Sequence, residues 1–266
     1  MPAPEPAVTA ADFARWKAEG RKVAMLTAYD HSMARLLDGS GVDALLVGDT
    51  LGMVVQGRDS TLPVTMDQMV YHAEMVARGA KHALVIADLP YLSYHISIED
   101  ALRNAGRFLK ETACGAVKLE GGRRMAPTIR ALVDAEIPVV GHVGLTPQSI
   151  RKLGGFKVQR DGPAILDDAR AVAEAGAFAI VLECIPAELA ARITAEVPAS
   201  TIGIGAGPGV DGQVLVTPDL LGLFEGFRPK FVRRYAELGD AARAAAATYV
   251  ADVRCGAFPT DAESFR

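Results

Sequence analysis

The 266-residue chain lacks several features that mark whole classes of protein. It has only three cysteines, Cys114, Cys184 and Cys255, and no Cys-x-x-Cys pair, so neither a disulfide framework nor a zinc ribbon is indicated. No apolar run approaches the ~20 residues that a membrane-spanning helix needs. The formal net charge is −4, with no basic block of the kind that binds nucleic acid. These absences predict a cytoplasmic protein with neither nucleic acid nor a membrane as partner.

What the chain does have is a regular alternation of short apolar runs and helix-length segments. Val/Ile/Leu runs separated in this way are typical of buried parallel strands joined by helices. The predicted strands cover residues 23–26, 44–47, 83–87, 116–120, 138–142, 179–182, 201–204 and 213–216. Eight strand–helix units favour a closed (β/α)8 TIM barrel over an open doubly wound sheet, and we predict one domain over residues 1–266.

Two terminal segments lie outside the eight units. Residues 1–8 are predicted to form a loose tail, followed by a short helix whose start carries a capping pattern, Thr9 with Asp12 three positions later. Residues 238–250 are rich in alanine and should be helical. Such an apolar helix either packs on a neighbouring subunit or closes the bottom of its own barrel.

Acidic residues stand where three neighbouring strands end. Asp49, Asp88 and Glu120 each follow an apolar run. The carboxyl ends of barrel strands meet on one face, where active sites lie, so these carboxylates should converge. One acid alone is better explained as a helix cap or an arginine partner. Three on adjacent strands favour a divalent-metal site, and hard oxygen ligands suit Mg²⁺ better than Zn²⁺.

Three further strand-end residues are candidates for the chemistry. Glu183 ends an apolar strand, and apolar surroundings raise the pKa of a carboxylic acid. A raised pKa suits a general base that works near neutral pH. The alternative is an ion pair with a strand-end Lys or Arg. Lys118 can neutralise a substrate carboxylate or an enolate, whereas a Schiff base is disfavoured because the nearby acids keep its amine protonated. His142 either orients the substrate or is structural.

A glycine-rich segment and two long loops complete the candidate features. Residues 207–212 satisfy G-x-G-x-x-G, but residues 213–216 read as a strand, whereas a dinucleotide fingerprint opens a helix. A tight exit from strand 7 is the better interpretation. The loops over residues 51–63 and 148–163 are long enough to be functional, and the second is a candidate lid.

At these residues the chain closely resembles the ketopantoate hydroxymethyltransferase family. The resemblance runs from about Thr9 to Phe258, and several motifs in one order are more specific than any one alone. The matching stretches are residues 25–30, 47–53, 59–65, 87–90, 117–122, 141–148, 182–184 and 202–216.

The resemblance implies an activity and residue roles. Family members transfer a hydroxymethyl group from 5,10-methylenetetrahydrofolate to 3-methyl-2-oxobutanoate through a Mg²⁺-stabilised enolate, giving 2-dehydropantoate and tetrahydrofolate, the first step of cytoplasmic pantothenate and coenzyme A biosynthesis. Many form homodecamers. The positions that match are the metal site Asp49, Asp88 and Glu120, the keto-acid-binding residues Asp49, Thr50, Asp88 and Lys118, and the proton acceptor Glu183. The family usually has Ser in place of Thr50.

Two rival interpretations have different consequences. Another Mg²⁺-dependent keto-acid enzyme of the isocitrate-lyase and phosphoenolpyruvate-mutase superfamily would share the barrel, but this chain lacks the Lys-Lys-Cys-Gly-His stretch that those lyases share. A barrel that only binds or scaffolds would have no need for converging acids.

Overall fold

Eight parallel strands close into a barrel in the computed structural model, which describes residues 6–223 and 228–265. Each strand pairs with the next one along the chain, and the first pairs with the last. The strands are Val23–Thr27 (β1), Ala44–Val47 (β2), Leu84–Asp88 (β3), Ala116–Lys118 (β4), Val139–Gly144 (β5), Ala179–Glu183 (β6), Ser200–Ile204 (β7) and Gly212–Leu215 (β8). The predicted closed barrel is therefore confirmed.

Helices follow the strands as the alternation of the sequence predicts, except that in the described chain β7 leads into β8 without one. They are Ala10–Glu19 (α1), His31–Asp38 (α2), Leu51–Val54 (α3), Met66–Gly79 (α4), Ile98–Glu111 (α5), Ala126–Asp134 (α6), Ile150–Leu153 (α7), Gly162–Glu174 (α8), Ala187–Glu196 (α9), Thr217–Leu220 (α10) and Leu238–Cys255 (α11). The two long loops are thus partly helical, since α3 opens the first and α7 lies in the second.

The N-terminal helix covers the end of the barrel where the strands begin. Its predicted capping box is present, because Thr9 and Asp12 bond each other's side chain and backbone. Phe13 and Trp16 are buried, and the Phe13 ring packs edge-on against Phe178, just before β6, at 5.1 Å between centroids. Burial of each aromatic ring contributes about 1.5–3 kcal/mol. With this end covered, the carboxyl ends of the strands remain for a site.

Alternate strand residues face two different cores. In β2, Ala44 and Leu46 belong to the cluster inside the barrel, whereas Leu45 and Val47 belong to the layer between the strands and the surrounding helices. This alternation is what a strand buried on both faces requires, and it explains the continuous apolar runs.

The chain divides into two compact units, residues 1–215 and 216–266. The first contains the barrel, and the second contains α10 and α11. The predicted single domain over residues 1–266 stays a prediction. Residues 1–5 of the predicted tail lie outside the described residues. Helix α11 begins at Leu238 as predicted and extends to Cys255. In the described part of the chain, no helix combines the length and apolarity required to cross a bilayer.

Candidate active site

The barrel brings the strand-end residues together at its carboxyl end. Asp88 is the last residue of β3 and Lys118 the last of β4, and the two are partners in the parallel ladder. Asp49 lies two residues beyond β2, and Glu183 ends β6. Strand β4 ends two residues earlier than predicted, so Glu120 lies beyond the strand, directly before Gly121, whose φ is 123°.

Asp49, Asp88 and Lys118 form a buried charged group. Lys118 Nζ lies 2.8 Å from Asp88 Oδ1, and the side chains of both residues are 5% exposed. The other oxygen of Asp88, Oδ2, accepts a hydrogen bond from the backbone N–H of Asp49 at 3.1 Å. Burial opposes the charged form of Lys118, but the carboxylates of Asp88, Glu120 and Asp49 outweigh burial and raise the pKa of Lys118. Lys118 is therefore an ammonium at neutral pH, which disfavours a Schiff base.

Two of the three acids hold their protons unusually strongly. Burial, and next the charge of Asp88, raises the pKa of Asp49 to about 7. Burial and the charge of Asp49 raise the pKa of Glu120 well above its usual value. One ammonium, that of Lys118, thus faces three buried carboxyl groups, and an additional cation would allow all three to ionise together.

Gln148, which was not among the predicted site residues, holds this group together through its side chain and its backbone. Its Nε2 donates to Asp49 Oδ2 at 2.9 Å and to the carbonyl of Leu89 at 3.0 Å. Its backbone N–H donates to Glu120 Oε2 at 3.0 Å, and the Tyr94 hydroxyl lies 2.6 Å from its Oε1. The residue stood inside the motif of residues 141–148, but a glutamine in a loop carries no sequence signal for a buried position.

We expect Gln148→Leu to lower the free energy of unfolding by about 1–3 kcal/mol, because it leaves the buried Leu89 carbonyl and Asp49 without their donor. Gln213→Leu is the matched control, since that side chain is exposed and, within the described chain, its amide donates to the Gly207 carbonyl alone. Urea denaturation of both variants measures the difference. Equal stabilities would show that the Gln148 bonds are replaced by water at no net cost.

His142 links the acid group to Glu183. Its Nδ1 lies 3.3 Å from Lys118 Nζ, and its Nε2 lies 3.2 Å from Glu183 Oε2. Burial, and next the charge of Lys118, lowers the pKa of His142, so the ring is neutral. An ammonium can only donate, so Nδ1 accepts and Nε2 carries the ring proton towards Glu183. The partner of Glu183 is therefore this histidine, whereas the alternative from sequence was a Lys or Arg.

The backbone at Glu183 is fixed from both sides. Its carbonyl accepts from the N–H of Leu145 at 2.9 Å, and Cys184 adopts a positive φ of 49°. Gly144, with φ 93°, lies so close that a Cβ there would be 2.4 Å from the Glu183 carbonyl oxygen. The glycine in the ladder opposite Glu183 is thus required by close approach of the two chains.

Thr50 and the glycine-rich segment lie where the sequence predicts. Thr50 directly follows Asp49 in the chain, and its hydroxyl lies 2.7 Å from the Tyr29 hydroxyl. Residues 207–212 run from the exit of β7 into the start of β8, and in the described chain no helix opens at these glycines, which is the context that a dinucleotide fingerprint requires. A Cβ at Gly207 would lie 2.4 Å from that of Ala187, which supports the interpretation as a tight strand exit.

A metal ion is implied by the predicted site. Among the described residues, no set of three or more His, Cys, Asp or Glu side chains is already arranged to hold a metal. The donors are nevertheless carboxylate oxygens alone, which is the chemistry that Mg²⁺ takes, and Mg²⁺ commonly keeps several waters and binds one or two carboxylates. A divalent cation at this position would compensate the charge of the three carboxylates once they ionise.

Comparison with known proteins covers nearly the whole chain. A family model described as ketopantoate hydroxymethyltransferase matches residues 7–261. The chain is 56% identical over 253 residues to a 3-methyl-2-oxobutanoate hydroxymethyltransferase of Syntrophus aciditrophicus, covering 94% of this chain and 93% of that protein. It is 56% identical over 263 residues to the enzyme of that name from Moorella thermoacetica, covering 97% and 98%.

Solved structures resemble the barrel at much lower identity. A 2,3-dimethylmalate lyase of the PEP mutase/isocitrate lyase superfamily matches with a TM-score of 0.61 and 19% identity, over 97% of this chain and 92% of that one. A phosphoenolpyruvate phosphomutase from Streptomyces platensis subsp. rosaceus matches with a TM-score of 0.63 and 16% identity, over 93% and 88%. These likenesses support the fold alone.

Proposed function

Because the chain belongs to the ketopantoate hydroxymethyltransferase family, a family of transferases, we propose that it transfers a hydroxymethyl group from 5,10-methylenetetrahydrofolate to 3-methyl-2-oxobutanoate. The products are 2-dehydropantoate and tetrahydrofolate. The observation that carries the proposal is the buried line of contacts from Asp88 through Lys118 and His142 to Glu183, which joins an acid group suited to a cation with a separate base.

Asp49, Asp88 and Glu120 would hold Mg²⁺, directly or through water. When bound, the ion supplies Lewis-acid polarisation of the keto acid. Thr50 and Lys118 would bind the substrate's oxygens beside it, since both present donors next to Asp49 and Asp88. A buried ammonium also stabilises the negative charge that develops on the ketone oxygen.

Glu183 is the proposed base. Its carboxylate takes the C3 proton of 3-methyl-2-oxobutanoate, and His142, which is neutral, would orient Glu183 through Nε2. The resulting carbanion bonds to the one-carbon unit, and both carbon–nitrogen bonds to the folate break. Water supplies the hydroxyl oxygen, and its other proton together with the C3 proton restores the two folate N–H groups.

The function is tested by incubating the purified protein with 3-methyl-2-oxobutanoate, 5,10-methylenetetrahydrofolate and Mg²⁺ and measuring 2-dehydropantoate. We expect product only with all three present. Cleavage or rearrangement of a keto acid without folate would instead indicate a lyase or mutase. Metal titration of the protein alone tests the remaining rival, because a barrel that only binds or scaffolds is expected to bind no Mg²⁺.

The compartment and assembly are parts of the same proposal. The three cysteines are free, as expected in the reducing cytoplasm, where we place the reaction as the first step of pantothenate synthesis. We also propose a homo-oligomer, a decamer by family resemblance. None of the residues of α11 is buried, and Tyr249, Val250 and Val253 are 40–57% exposed. An apolar surface of this kind is typical of a subunit contact.

Truncation after Gly239 is expected to lower the oligomer mass while the barrel stays folded, because it removes most of α11. The double substitution Tyr249→Glu/Val253→Glu tests the same surface with the helix kept. Light scattering measures the mass, and circular dichroism checks the fold. An unchanged mass in both variants would place the subunit contact elsewhere.

A further inference from the structure

A cavity of about 430 Å³ adjoins the acid group, and its lining combines residues of that group, cations and aromatic rings. Glu120 and Gln148, which belong to the proposed active site, form part of the lining. Elsewhere its walls include Arg124, Arg151 and Lys152. A volume of this size is typical of a small-molecule site, and it is larger than a five-carbon keto acid needs. The proposed keto-acid-binding residues are not among the described residues that line it, so the cavity lies beside the keto-acid site and has room for a second ligand.

The three cations of the wall have no internal partner. Within residues 6–223 and 228–265, none of Arg124, Arg151 and Lys152 forms an ion pair with an acidic side chain. The acids that line the cavity are Glu120 and Asp168. Asp168 already accepts a hydrogen bond from the backbone of Arg123 at 2.9 Å, with the Arg123 side chain 3.8 Å away. The part of the cavity wall that contains these three cations thus carries positive charge, which an anionic ligand can neutralise.

An aromatic surface lies in the same cavity. Tyr91 and His95 both line it, with 5.5 Å between their ring centroids. The Tyr94 ring also packs against His95, with 4.0 Å between the two centroids. Burial, and next the charge of Arg124, lowers the pKa of His95, so the imidazole is neutral at pH 7. A neutral ring beside a tyrosine suits the flat face of an aromatic ligand.

We propose that this cavity binds the aminobenzoyl-glutamate portion of the folate co-substrate, with the aromatic ring against Tyr91 and His95 and the glutamyl carboxylates at Arg124, Arg151 and Lys152. The inference rests on the proposed function and identifies where its second substrate binds. A methylene donor must bring its one-carbon unit to the keto acid beside Glu120. Its anionic tail then extends along the cavity, where the unpaired cations lie.

The length of the glutamyl tail should therefore affect affinity. Each added γ-linked glutamate brings one more carboxylate to a wall with three cations. Exposed ion pairs are individually weak, so the effect on affinity is modest per pair and grows with the number of pairs. We expect wild-type protein to bind tetrahydrofolate triglutamate about 3–10-fold more tightly than the monoglutamate.

The test compares two double variants by calorimetry with tetrahydrofolate mono- and triglutamate. Arg151→Gln/Lys152→Gln removes two cations of the cavity, and both side chains are exposed, so the fold should persist. Arg35→Gln/Lys110→Gln is the matched control, because these exposed cations are also without an ion pair in the described chain but lie outside the cavity lining. The first variant should lose the triglutamate preference and the control should keep it. Deuterium exchange at C3 of the keto acid should be unchanged in both.

The outcomes distinguish failure of the folate site from failure of the proposed function. A wild-type protein that forms 2-dehydropantoate but shows no triglutamate preference overturns this inference and leaves the proposed function standing. The same holds if the cavity variant keeps the preference. If the cavity variant also loses keto-acid affinity, the cations bind the keto acid and the inference is wrong. If wild-type protein forms no 2-dehydropantoate, the proposed function and this inference fall together.

Discussion

Glu183→Gln is expected to lower turnover by about 10²-fold or more, within the usual range for loss of a general base. The amide keeps the size of the side chain and can still accept from His142 Nε2, which lies 3.2 Å from the carboxylate. It cannot take the C3 proton. Deuterium exchange at C3 of 3-methyl-2-oxobutanoate, followed by NMR without folate, should fall in parallel with turnover.

A second variant separates the base from its support. His142→Phe removes the Nε2 donor but leaves the Glu183 carboxylate, so exchange should persist at a reduced rate.

Binding of Mg²⁺ and keto acid should be retained in Glu183→Gln, because Glu183 is not among the proposed ligands. Exchange at the wild-type rate in Glu183→Gln would remove Glu183 from the reaction.

Asp88→Ala is expected to weaken Mg²⁺ binding and to destabilise the protein as well. Lys118 loses its partner at 2.8 Å and stays buried, with 5% of its side chain exposed. Breaking a buried ion pair by removing one partner costs about 3–5 kcal/mol. The Asp49 N–H also loses its acceptor. Urea denaturation measures the stability, and calorimetric titration measures Mg²⁺ affinity.

The double variant Asp88→Ala/Lys118→Met distinguishes the two effects. Removal of the ammonium relieves the unpaired buried charge, so much of the lost stability should return, whereas the metal affinity should not. Excess Mg²⁺ should rescue Asp88→Ala only in part. Normal metal dependence in Asp88→Ala, with only the stability lowered, would make Asp88 a structural partner of Lys118.

The fold and most of the candidate site followed from local patterns. Apolar runs such as residues 44–47 define strands because both faces of a barrel strand are buried. The acids at strand ends could be recognised in the sequence because a charged residue directly after such a run marks the point where the buried apolar strand stops. Convergence of Asp49, Asp88 and Glu120 then followed from the geometry of parallel strands, which brings their carboxyl ends to one face.

Contacts between distant segments required the tertiary structure. Gln148 is 99 residues from Asp49 in the chain, yet its amide bonds that carboxylate. The tautomer of His142 depends on Lys118 on one side and Glu183 on the other, which no local pattern encodes. Arg151 and Lys152 belong to the loop that was predicted as a candidate lid, but only the structure shows that these two cations line the cavity.

The sequence by itself determined the barrel, the order of its strands and the residue types at their ends, because strand periodicity and the apolar–polar boundary are local properties. Only the tertiary structure decided which of those residues contact one another, since such contacts depend on how strands close and loops return. That closure places one ammonium among three buried carboxylates, and it sets the raised pKa of Asp49, about 7, which results from burial and from the charge of Asp88.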